Sequence, residues 1–178
     1  KKGLNLSYNI EEFCDLSKYL LKKGNYIGLH GQSFSNKNSL FNEKERFKTI
    51  LGINDPIGIR NHYLRKNDQT LNYMENCGFL FDSTCYGMIE PFRVGDMWEF
   101  PISVMECYEV DKSKDLSFNL NRTFKILEDY LVNNMPFFVI NFHDIYFNDN
   151  FPYYKNWYIE LIKHCKNENL EFTTFKQA

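Results

Sequence analysis

The chain has 178 residues, with 21 Lys and Arg against 23 Asp and Glu for a formal charge of −2. That length suits one domain with a core of its own, and a near-neutral balance with only isolated Lys pairs excludes nucleic acid as a partner. The longest apolar runs are strand-sized, well short of a membrane span, so the expectation is a soluble protein.

In chain order, Asn9 is placed to cap a helix whose apolar residues Ile10, Phe13, Leu16, Tyr19 and Leu20 recur at helical spacing. Gly24 is its left-handed stop. A strand is expected over Tyr26 to Leu29, running into His30, then a polar loop at 31–38 and a helix from about Ser39 to Leu51 that ends at Gly52. Asn54-Asp55-Pro56 turns the chain into a second strand, whose β-branched run leads into Arg60, His62 and Tyr63. Asp68 is the expected cap of a helix carrying Leu71, Met74 and Cys77 and stopping at Gly78. Phe79-Leu80-Phe81 then reads as a strand with Asp82-Ser83-Thr84 at its end. The segment from Cys85 to Met97 reads as irregular, and Trp98 to Met105 as a strand in which Pro101 argues for an edge or a bulge. Asn119 or Asn121 opens a helix with Phe124, Leu127, Tyr130 and Leu131 on one face, followed by a strand that ends at His143. The last helix spans roughly Tyr154 to Lys166, and Leu170 to Thr173 is a candidate final strand. Alternating helices and strands assign the α/β class with a mostly parallel sheet.

Three of the four histidines, His30, His62 and His143, follow apolar runs of strand length. In a parallel sheet or βα barrel the strand ends meet on one face, so residues distant in sequence converge there. One such histidine is readily a capping or hydrogen-bonded core group; three in the same local context point to a site. His164, beside Lys163 in the last helix, reads as solvent-exposed. The five cysteines, Cys14, Cys77, Cys85, Cys107 and Cys165, show neither a Cys-x-x-Cys pair nor zinc-like spacing. They read as unpaired, mostly buried thiols, which favours a reducing compartment, the cytoplasm. Aromatic residues make up 17% of the chain; packing explains most of them, and a glycan-binding cleft would use some.

Five segments in order, Ile-Gly-Leu-His at 27–30, Gly-Ile-Arg-Asn-His-Tyr-Leu-Arg at 58–65, Gly-Phe-Leu-Phe-Asp-Ser-Thr at 78–84, Trp-Glu-Phe-Pro-Ile at 98–102 and Val-Ile-Asn-Phe-His at 139–143, resemble the polysaccharide deacetylases, the NodB-homology or family 4 carbohydrate esterases. The Arg-x-His-Tyr-Leu-Arg form resembles a divergent branch of that family. The resemblance runs from about Glu11 to the C-terminus and implies a single distorted (β/α) barrel domain over 1–178, lacking its first strand or strands. It implies a metal-dependent hydrolase, with zinc the usual ion, that removes N-acetyl groups from a bacterial surface polysaccharide or amino sugar.

By the same resemblance His30 matches the first metal-ligating histidine, while Phe34 stands where the second is expected. A three-ligand site needs a replacement there, and His62 is the candidate. Arg60 matches the arginine that orients the catalytic aspartate, and the backbone N–H of Tyr63 matches the oxyanion donor. His143 matches the general acid to the departing amine, with Asp82, ahead of Asp144, as the group that fixes its tautomer. Trp98 is a candidate lining of the acetyl pocket. The family's Thr-Phe-Asp-Asp motif has no counterpart in Lys1 to Tyr8, so the expectation is either a fragment of a longer protein or a naturally reduced barrel. Two rivals follow from these departures: an inactive relative that serves as a carbohydrate-binding domain, and a different metal-dependent hydrolase built on His30, His62 and His143.

Overall fold

A computed structural model of the chain describes residues 10–178, so the cap expected at Asn9 lies outside the described residues. The chain divides into two compact units, one reaching to Thr84 and including Arg93–Trp98, the other comprising Cys85–Phe92 and Glu99–Ala178. Each carries its own hydrophobic core.

The first unit is built on a five-stranded sheet. Its strands are β1 (Leu29–Gly31), β2 (Ile59–Asn61), β3 (Phe81–Asp82), β4 (Phe92–Val94) and β5 (Met97–Glu99), in spatial order β1-β2-β3-β5-β4. β1, β2 and β3 are parallel, with His30 opposite Arg60, Gly31 opposite Asn61 and Ile59 opposite Asp82. The strands are shorter than their apolar runs. Before β1, the Tyr26 hydroxyl accepts the Gly58 N–H at 2.6 Å, so a side chain satisfies a donor that a longer ladder would have used. The segment expected to be irregular contributes β4. Gly58 must lack a side chain because an added Cβ would lie 2.2 Å from the Phe81 ring.

Three helices flank this sheet in sequence: α1 (Cys14–Lys22), α2 (Lys37–Leu51) and α3 (Thr70–Asn76). Ile10 and Cys14 pack against the core formed by Leu40, Phe47, Ile57, Ile59, Met74 and Phe79, yet Phe13, Leu16 and Tyr19 stay exposed. The helical spacing of α1 is therefore real, but half of its apolar stripe remains uncovered. α2 starts two residues before the expected Ser39, because Asn36 is its cap and accepts the Ser39 N–H at 2.9 Å; it closes at Gly52 with φ +66°. The cap assigned to Asp68 is corrected: Asn67 accepts the Gln69 N–H at 2.9 Å and Thr70 Oγ1 accepts the Asn67 N–H at 2.8 Å, so α3 begins at Thr70. At its other end the buried Lys44 ammonium donates to the Cys77 and Gly78 carbonyls at 2.5 and 3.1 Å. It satisfies carbonyls that a helix end leaves without partners.

The second unit pairs β6 (Val104–Met105) in parallel with β7 (Ile140–Asn141), Val104 opposite Ile140 and Met105 opposite Asn141. The strand expected over 98–105 is broken between Glu99 and Val104, around Pro101, which has no N–H for a ladder. A short helix that the sequence did not announce, α4 (Glu106–Glu109), follows β6 directly. α5 (Leu116–Val132) is capped by Asp115, which accepts the Phe118 N–H at 2.7 Å, not by Asn119 or Asn121. Asn119 is instead fully buried, tying the preceding loop through the Asp111 N–H at 2.9 Å and the Asp111 and Asp115 carbonyls at 3.0 Å. α6 (Pro152–Asn167) opens on a proline, whose missing N–H costs nothing at that position. Trp157 lies wholly inside the core with Leu127, Leu161 and Cys165, and its indole N–H donates to Thr123 Oγ1 at 3.0 Å. The final strand expected at Leu170 to Thr173 does not form; that segment is irregular and mostly exposed. Among the described residues the strands do not close into a barrel. No described helix is long and apolar enough to cross a membrane, and no disulfide joins any of the five cysteines.

Candidate functional sites at the strand ends

In the first unit, parallel pairing puts the ends of β1, β2 and β3 side by side. His30 Nδ1 lies 3.1 Å from the Arg60 carbonyl oxygen. A carbonyl only accepts, so Nδ1 carries the hydrogen and Nε2 is the basic nitrogen of His30. The His62 ring is 4.9 Å from the His30 ring, centroid to centroid, and stacks on Tyr63 at 4.2 Å with 12° between planes. The Arg65 guanidinium sits 5.8 Å from the Tyr63 ring centre. Tyr63 is 60% exposed, and it and Leu64 both adopt left-handed backbone angles, φ +56° and +51°. Two successive non-glycine residues there cost about 1–3 kcal/mol each and persist only where the surroundings hold them.

What holds them is a hydrogen-bonded segment at the end of β3. Arg60 donates from Nε to the Ser83 carbonyl and from Nη2 to the Ser83 hydroxyl, both at 2.9 Å. The Asp82 carboxylate, wholly buried, accepts from the Thr84 hydroxyl at 2.6 Å. Thr84 Oγ1 in turn accepts the Asn61 N–H at 3.0 Å, and Asn61 Nδ2 donates to the Arg65 carbonyl at 2.9 Å, closing the turn. Asn61 Oδ1 rests against Gly31, where an added Cβ would come within 2.7 Å of it.

The first unit thus brings together His30, Arg60, His62, Tyr63 and Asp82. Phe34 offers no ligand atom in place of the second histidine that the resemblance implies; its carbonyl accepts from the Thr70 hydroxyl at 2.8 Å. Among the described residues no group of three or more His, Cys, Asp or Glu is arranged to hold a metal ion. Two imidazoles are one donor short of the three protein ligands that a catalytic zinc uses, so the described residues do not by themselves fit the ion that the resemblance implies. Trp98 is half-buried on β5, with the Arg93 guanidinium 4.6 Å above its ring.

In the second unit, β7 delivers His143 two residues beyond its pairing with β6, and α4 begins with Glu106 one residue beyond β6. The register Met105 to Asn141 aligns the two strand ends. His143 Nδ1 is hydrogen-bonded to Glu106 Oε1. The Glu106 side chain is fully buried while that of His143 is 45% exposed. A buried carboxylate on Nδ1 fixes the tautomer, with the hydrogen on Nδ1. Asp144, the other acid considered for this role, accepts the Ile145 N–H at 2.9 Å. The sequence carries one local signal for Glu106, an acid directly after an apolar strand, as at Asp82; the contact with His143 itself has no local signal. Nearby, Tyr86 donates its hydroxyl to Glu109, buried on α4, and burial followed by that bond pushes the Tyr86 phenol well above its ordinary range. His164 is half-buried and stacked on Phe124 at 3.9 Å, not the open surface residue expected.

No family model matches the sequence, and no curated protein matches it. Among solved structures, the chain is similar to a crystal structure of a "putative polysaccharide deacetylase" from Mycobacterium smegmatis, at 14% identity and a TM-score of 0.64, over 94% of this chain and 72% of that one. At that identity the likeness is one of fold.

Proposed function

We propose that residues 1–178 are a deacetylase-like hydrolase domain, related to the distorted (β/α) barrels, that removes N-acetyl groups from a glycan or amino sugar of a bacterial surface. The observation that carries this reading is the assembly of His30, Arg60, His62 and the Asp82-Ser83-Thr84 segment at the ends of three adjacent parallel strands. The likeness in fold supports it. In this reading the Tyr63 N–H is the oxyanion donor and Trp98 borders the acetyl group. His143 gives a proton from Nε2 to the departing amine, and we assign the orienting carboxylate to Glu106 in place of Asp82.

In the same reading His30 and His62 would face the divalent cation that the resemblance implies, zinc by preference, with a donor set one ligand short of what a catalytic zinc uses. With two donors the pair is expected to hold zinc weakly. Elemental analysis of the purified chain beside His30→Ala and His62→Ala tests it: bound metal lost in both variants supports the pair, and metal retained in either removes that residue from the site. Activity is tested by acetate release from chito-oligosaccharides. The wild-type chain is expected to release acetate and His143→Ala to lose about 10²–10⁴-fold of the rate. Equal release by both would sink the assignment of His143. Phe34 in place of a ligand specifically favours one rival, an inactive carbohydrate-binding relative, and saturable glycan binding without acetate release would establish that rival.

A further inference from the structure

We propose that Thr84 is the positioning residue for the turn that carries His62 and Tyr63. Chemistry forces the direction of both of its hydroxyl bonds. The Asp82 carboxylate can only accept, so the Thr84 hydrogen goes to it; the Asn61 N–H can only donate, so it takes a lone pair of the same oxygen. Asn61, fixed by that bond, donates from its side chain to the Arg65 carbonyl and closes the turn across His62, Tyr63 and Leu64. Those residues hold two consecutive left-handed conformations and the stacked His62 and Tyr63 rings. The conformation is not one that His-Tyr-Leu would choose alone. Thr84, Asn61 and Asp82 are all at most 1% exposed, so water does not replace a lost bond there. Removing the hydroxyl deprives a buried N–H and a buried carboxylate oxygen of a partner together, and the turn relaxes. Serine retains both bonds, whereas valine has the shape of threonine and neither bond.

The proposal's bearing on catalysis rests on the hydrolase reading; its geometric content does not. The experiment is side-chain NMR of the full chain, with the His62 imidazole signals assigned through His62→Ala. Nuclear Overhauser contacts between the His62 and Tyr63 rings are expected in the wild type and in Thr84→Ser, and are expected to be lost in Thr84→Val with a shift of the His62 signals. The Trp157 indole signal, from the other core, is the control for folding. Contacts and shifts unchanged in Thr84→Val would overturn the proposal. Should that variant fail to fold, Asn61→Ala gives the same readout, since it removes only the bond to Arg65 O; retained contacts would overturn the proposal equally. In the acetate assay, Thr84→Val is expected to lose about 10²-fold in kcat and Thr84→Ser to recover it. A wild-type chain that releases no acetate defeats the hydrolase reading and leaves the NMR contacts to decide this one.

Discussion

His143 and Glu106 show how one buried acid can define the use of an exposed base. Glu106 is held without solvent and offers Oε1 to Nδ1, so the imidazole cannot rotate or change tautomer without stranding a buried carboxylate. Glu106→Gln keeps the size but removes the charge that stabilises a protonated ring. Acetate release is expected to fall by roughly 10²–10⁴-fold, and a rate within twofold of wild type would show that His143 acts without its partner. Gly31 makes a second residue-scale case. A Cβ there would meet Asn61 Oδ1 at 2.7 Å and the Ile59 side chain at 2.8 Å, and both neighbours are buried and belong to the strand that carries the turn. Gly31→Ala is expected to cost about 1–3 kcal/mol in urea unfolding, the scale of overpacking in a close-packed core.

At the scale of elements, helix ends record where local and distant forces meet. Glycine stops at 24, 52 and 78 were legible because left-handed φ is a local demand that glycine meets best, and all three have positive φ in the structure. The starts were less legible: Asn67 and Asp115 accept N–H groups at the starts of α3 and α5, where Asp68 and Asn119 or Asn121 were expected, because several adjacent Asn, Asp and Thr compete and packing selects among them. The end of α3 depends on a lysine from another helix. Burial pulls the Lys44 ammonium below its ordinary 10.5, so between the folded value and 10.5 the unfolded chain binds more protons and stability rises with pH. The penalty is present in full below the folded value and relieved above it. Denaturant midpoints of wild type relative to Lys44→Met are accordingly expected to improve as pH rises toward 10.5; a constant difference would mean that the ammonium is as well solvated folded as unfolded.

For the whole molecule, the thiols give the broadest reading of the two cores. Cys77, Cys85 and Cys165 are buried, Cys14 is partly buried and Cys107 is exposed. Burial pushes the Cys77 and Cys165 thiols upward, and burial followed by Glu106 does the same at Cys107. Thiol labelling of the native chain is expected to modify Cys107 first, faster as pH rises, and the three buried thiols only through opening of their cores. Early labelling of Cys165 would contradict the packed core around Trp157. The low net charge carries a complementary expectation: no shift of DNA or RNA in a gel at physiological salt.

The α/β class, the parallel strands feeding His30, Arg60 and Asp82, and the glycine-terminated helices are legible in the order of residues alone. These follow from periodicity and backbone preference, which act within a few residues. That order did not determine that α1 leaves Leu16 and Tyr19 exposed, that the strand at 98–105 breaks around Pro101, or that Glu106 meets His143. Nor did it mark Thr84 as the link between Asp82 and Asn61. Glu106 and His143 are 37 residues apart, and Thr84 and Asn61 are 23 apart. Such pairs are set by the register of parallel strands joined through crossovers, a choice made by the packing of the whole unit, and only the tertiary structure records it.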